Sequence, residues 1–167
     1  MRTIIIALLS SLLFFSCTKD SDNNNASSTY IKAKMDGTNV TFNSMAMSTK
    51  MIANGTTMLS ISGNVAAGAF EGITIGLNKT GSITTGTYRE DDASNTYTLG
   101  AVYGKNQNDV WGAGINASPA HPFTLTITEI TETRVKGTFT GGVYNDHGMG
   151  SAEKVFTNGE FNVPIQK

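Results

Sequence analysis

From Tyr30 onward apolar and polar residues alternate along the chain, the period of a strand whose successive side chains point to opposite faces of a sheet. The clearest stretch is Phe123-Thr124-Leu125-Thr126-Ile127-Thr128, where Phe123, Leu125 and Ile127 turn inward and three threonines face out. Glu71 to Leu77 repeats the scheme, and Val135, Gly137 and Phe139 alternate with Lys136, Thr138 and Thr140. Val155, Gly159, Phe161, Val163 and Ile165 read as one inward face near the end, while Thr57 to Ser62 and Tyr97 to Tyr103 follow the pattern more weakly. Asp36-Gly37 and Asn54-Gly55 supply the positive φ of tight primed turns, and Glu132-Thr133 turns the chain after its strongest strand. No window after Cys17 spaces apolar residues at i, i+3, i+4 and i+7 behind a cap, so no helix longer than a turn or two is expected. Roughly eight to ten short strands predict an all-β domain, an antiparallel β-sandwich or, alternatively, a lipocalin-like up-and-down β-barrel. Alternation with one polar face is compatible with both.

The first 29 residues follow another pattern. Arg2 precedes an apolar stretch interrupted only by Ser10 and Ser11, which ends at Phe14-Phe15-Ser16-Cys17. A basic start, a short apolar segment and a small residue make a secretory signal, too short for the roughly 20 residues that span a bilayer. Ser16-Cys17 resembles a bacterial lipobox, although Phe14 and Phe15 replace the leucine and small residue commonest there. That resemblance implies cleavage before Cys17 and a diacylglycerol thioether on it. Thr18 to Thr29 contains no large apolar residue and reads as a flexible tether. The expected organisation is a signal-peptide helix over 1–16, a lipidated cysteine and tether over 17–29, and one β domain over 30–167. Thr18 in place of Asp resembles outer-membrane sorting, and the lysine and acids after the cysteine resemble a surface-export signal of Bacteroidetes lipoproteins.

Composition narrows the partners. Twelve Lys and Arg against 13 Asp and Glu give no clustered basic surface, which argues against nucleic acid, and 39% hydrophobic residues are too many for a disordered chain. One cysteine closes no internal disulfide and builds no thiolate metal cluster. All 18 glycines fall beyond the tether, as turns, bulges or close strand approaches.

Three segments near the end carry a family likeness: Thr126 to Ile130, Arg134 to Phe139, and Phe156 to Ile165. They resemble the C-terminal strands of small uncharacterised Bacteroidetes lipoproteins, specifically the domain-of-unknown-function family numbered 6252. The resemblance implies a lipobox, a polar tether and one β domain, and brings no catalytic residues.

Candidate chemistry is sparse. Nucleophilic catalysis needs a base, and the imidazoles are His121, in Pro119-Ala120-His121-Pro122, and His147, in a Gly-rich loop without a G-x-S-x-G elbow, so a surface hydrolase is the weakest reading. Glu90-Asp91-Asp92 gathers hard oxygens without the spacing of a Ca²⁺ loop. Met45, Met47 and Met51, which could be joined by His147 and Met149, suggest soft ligands for Cu(I), against the plainer reading as core fillers. Tyr97, Tyr103 and Trp111 are candidates for stacking on a glycan or protein partner, although Tyr97 and Tyr103 share a face with Leu99 and Ala101. The expected function is thus a lipid-anchored outer-membrane or cell-surface β module, non-enzymatic and without a cofactor, acting by binding or as a structural component. A carrier of a small apolar ligand, or a methionine copper module, is the alternative.

Overall fold

A computed structural model of the chain describes residues 28–94, 96–114 and 119–166. The expected signal segment, Cys17 and the tether as far as residue 27 lie outside them. Among the described residues eleven strands and one helical turn follow in order: β1 (Tyr30–Met35), β2 (Thr38–Thr41), β3 (Ser44–Ala53), β4 (Thr56–Asn64), β5 (Gly72–Thr80), β6 (Gly86–Arg89), β7 (Tyr97–Asn106), β8 (Asp109–Ala113), β9 (Thr124–Ile130), β10 (Arg134–Tyr144), α1 (Asn145–Gly148) and β11 (Glu153–Gln166). The all-β class expected from the alternation is what the chain adopts. Both primed turns form as read, with positive φ at Asp36 and Gly37 and at Asn54 and Gly55. Thr131 Oγ1 accepts the amides of Thr133 and Arg134 and closes the β9–β10 turn.

Antiparallel neighbours build two arrays, β2-β1-β11-β10-β9-β6 and β3-β4-β5-β7-β8. Two short seams stitch them into one eleven-stranded sheet. At one, Ile165 and Gln166 run parallel to Ser48 and Thr49; at the other, Tyr144 pairs with Gly112. The row Ser48, Ile61, Ile75, Ala101, Ala113 crosses the five-stranded array and links opposite ends of the β10–β11 hairpin.

Rings fill the space between. Phe42, Tyr103 and Phe156 meet edge to face with centroids 5.9–6.5 Å apart, Phe139 tilts onto Phe156 at 6.0 Å, and Phe123 stacks on Phe139 at 6.1 Å. Leu59, Ile61, Ile75, Leu77, Leu125 and Ile127 complete a dry core. Two inward glycines make room for these rings. A Cβ on Gly137 would stand 2.0 Å from the Thr126 carbonyl and 2.6 Å from the Phe161 ring, and one on Gly159 2.4 Å from the Phe139 carbonyl.

One inward face differs from expectation. Asn158 takes a positive φ and the β10–β11 register shifts between Phe139 and Gly141, a bulge that changes the phase of β11. Phe156 is therefore in the core at 0% exposure, and Val155, read as inward, is only half-buried.

Candidate functional site

Where β10 ends and β11 begins, Tyr144 stands opposite Glu153. The stiff segment entering β9 lies across this end: Gly142 N donates to the His121 carbonyl at 2.7 Å, and His121 N donates to Tyr144 Oη at 3.2 Å. These backbone bonds hold the imidazole over the hairpin, where Nδ1 meets Glu153 Oε2 at 2.8 Å. Gly142 is what lets the Glu153 side chain lie there, since a Cβ on it would overlap Glu153 Oε1. The fourth member is Glu90, just beyond β6, which bonds through its amide to the Phe123 carbonyl at 2.9 Å and through Oε2 to Gly114 N at 3.2 Å.

The electrostatics of this cluster are those of crowded acids. Burial raises the Glu90 carboxyl above its usual range, against the amides of Phe123 and Gly114, and the charges of Asp91 and Glu153 push it further up. Burial and then the Glu153 carboxylate raise the Tyr144 phenol. One oxygen of each acid, Glu90 Oε1 and Glu153 Oε1, is buried without a hydrogen-bond partner. Chemically, a carboxylate on Nδ1 orients the ring and leaves Nε2 to act as a base or acid. Among the described residues no hydroxyl or thiol is bonded to that ring, and no group of three His, Cys, Asp or Glu is close enough together to hold a metal ion.

Of the residues singled out in the sequence, His121 and Glu90 join this cluster. His147 sits exposed in α1 at φ 58°, apart from it. The acids next to Glu90 are satisfied within their own loop, where Asp91 takes a bidentate pair from Arg89 at 2.9 and 3.0 Å and Asp92 accepts from Ser94 N and Tyr97 Oη. Glu90, Tyr144 and Glu153 were not legible as partners, because only pairing between remote strands brings them together.

The aromatic candidates are not assembled into an exposed platform. Tyr103 is 1% exposed, its hydroxyl donating to Glu71 Oε1 at 2.7 Å. Tyr97 packs edge to face on Tyr88 at 5.1 Å, and Trp111 lies half-buried under the Lys154 ammonium, 4.5 Å from its ring centroid. The exposed aromatic ring is instead Phe70, which lies over Gly104 beside a cavity of about 200 Å³ lined in part by Val102 and Val110.

Of the three methionines Met47 is half-buried, and Met45 and Met51 are surface residues. Met45 and Met51 are 65% and 60% exposed on β3, because Ala46 and Ser48 take the inward positions. Six residues of strand separate Met45 from Met51 by roughly 20 Å, more than a single ion bridges. The apolar-carrier alternative needs an empty interior, and the interior is occupied by Phe42, Tyr103, Phe139 and Phe156.

No family model matches the chain, and neither a curated protein nor a solved structure does. The fold and cluster define its class at the level of an all-β module with a His–Glu pair beside a second, half-buried acid.

Proposed function

We propose that the protein is a lipid-anchored β module of the bacterial outer membrane, displayed at the cell surface, that acts by binding or as a structural component. The carrying observation is Ser16-Cys17, the sole cysteine of the chain, set between an apolar leader and a polar run that leads into the β body. The acyl chains add about 0.8 kcal/mol per buried CH₂, so two or three of them hold a protein at a membrane without a spanning helix. No helix among the described residues is long and apolar enough to cross one. The side chains that fill the core suit a rigid body that presents surface rather than encloses a ligand. Partner binding by an exposed face fits this better than carriage.

A second reading, surface acid–base catalysis, draws on the His121–Glu153 pair; among the described residues no hydroxyl is bonded to that ring, and this reading stands behind the first. Fractionation tests the proposal. Cys17→Ser is expected to move the protein from the membrane to the soluble envelope fraction while the parent is digested by protease added to intact cells. A Cys17→Ser protein that stays with the membrane contradicts the anchor.

A further inference from the structure

The β3–β4 hairpin runs past its support. Among the described residues β11 accompanies β3 as far as Thr49, opposite Gln166, and β3 continues through Lys50–Ala53. Beyond this point each face of the hairpin carries an exposed apolar side chain. Met51 pairs across the strands with Met58 on one face, and Ile52 projects from the other at 72% exposure, beside a cavity of about 210 Å³ lined by Lys50, Glu132, Ile165 and Gln166. Lys79, paired in register with Thr57, adds a second ammonium next to the tip. Exposed apolar groups on both faces of a hairpin end, with lysines alongside, have the chemistry of a segment resting among lipid headgroups, where apolar tips bury and ammonium groups meet phosphate.

The course of the chain says which surface covers this tip. Asn162 Nδ2 donates to the Ser28 carbonyl at 3.0 Å, which fixes where the N-terminal segment joins the body. That point and β3 share one edge of β11: Tyr30 pairs with Asn162, and three residues further along β11 Ile165 pairs with Ser48. The tip, which begins at Lys50, two residues past Ser48, therefore lies five positions along this edge from Asn162, about 17 Å. Eleven residues from Cys17 to Ser28 reach at most about 35–40 Å even fully extended, and a short tether raises the local concentration of whatever lies at its other end.

We propose that the β3–β4 tip, with Met51, Ile52 and Met58 flanked by Lys50 and Lys79, docks on the lipid surface that holds Cys17. Lipidation then sets the body's orientation as well as its residence. The inference rests on the anchor reading, and the test separates the two. The acylated full chain, carrying Ala53→Cys with an environment-sensitive fluorophore, is reconstituted into phosphatidylethanolamine/phosphatidylglycerol vesicles containing a spin-labelled lipid. Asn108→Cys, in the turn between β7 and β8, serves as the distant control. Flotation with the vesicles reads the anchor, and quenching reads the docking. The expected result is flotation of both proteins with quenching at Ala53 and little at Asn108, and loss of the Ala53 quenching, with flotation kept, in the Met51→Ser/Ile52→Ser variant. Flotation with equal, weak quenching at both sites overturns the docking and leaves the anchor standing. A signal at Ala53 that grows with protein concentration in the absence of vesicles assigns the tip to a second copy of the chain and overturns it too. Failure to float removes the anchor and the docking together.

Discussion

Glu90 and Glu153 each keep a carboxylate oxygen in the protein interior without a donor, and the cost falls on the ionised form of Glu90, whose carboxyl is held above its ordinary range chiefly by burial. The folded state then binds a proton more tightly than the unfolded chain. The contribution of this group to stability is fully present below the unfolded carboxyl range and is lost as pH rises through the raised folded value. Glu90→Gln removes that loss, and its amide supplies a donor where two acceptors crowd. The variant is expected to melt higher than the parent at pH 7, with the gap closing as pH falls into the ordinary carboxyl range; thermal melts across pH follow it. A gap of the same size at every pH contradicts the assignment. The carboxylate on His121 is a separate matter, since Glu153 orients the ring through a 2.8 Å contact at a half-exposed side chain, a geometry that suits surface recognition as readily as proton transfer.

At the scale of strands, much of the body was legible because burial on one face imposes a period of two. Phe123 to Thr128 and Val135 to Thr140 lie as their alternation indicates, and the Asp-Gly and Asn-Gly pairs turn where positive φ is needed. What escaped has physical reasons. β6 and β8 are four and five residues long and broken by glycine, too short for a period to register. The bulge at Asn158 inverts the phase of β11, so that reading the alternation straight through it placed Val155 where Phe156 belongs. Met45 and Met51 lie outside the core for a related reason: the inward positions of β3 fall to Ala46 and Ser48, which are small and carry little hydrophobic signal. The bulge offers a prediction. Deleting Asn158 leaves a single residue between Phe156 and Gly159, the spacing of a regular strand, so both keep their inward places. Loss of a buried Phe costs about 3–5 kcal/mol, so Phe156→Ala is expected to lower the melting temperature sharply by calorimetry or circular dichroism, whereas the Asn158 deletion is expected to keep a cooperative melt. A Phe156→Ala protein that melts like the parent, or a deletion variant that no longer unfolds cooperatively, contradicts this reading of the bulge.

For the whole molecule, Ser28, where the described chain begins, is held by Asn162 on the same edge of β11 as the β3–β4 hairpin, whose tip exposes Met51 and Ile52, and the His121–Glu153 pair lies at the other end of the β10–β11 hairpin. Residence in the membrane is assigned to one covalent modification and orientation to one hairpin tip. The most direct test of the central claim is the intact mass of the protein purified from the membranes of cells expressing the full chain. The account predicts a mature N-terminus at Cys17 carrying a diacylglyceryl group, with loss of residues 1–16. A mass equal to the unprocessed chain, or cleavage elsewhere leaving Cys17 as a free thiol, contradicts it.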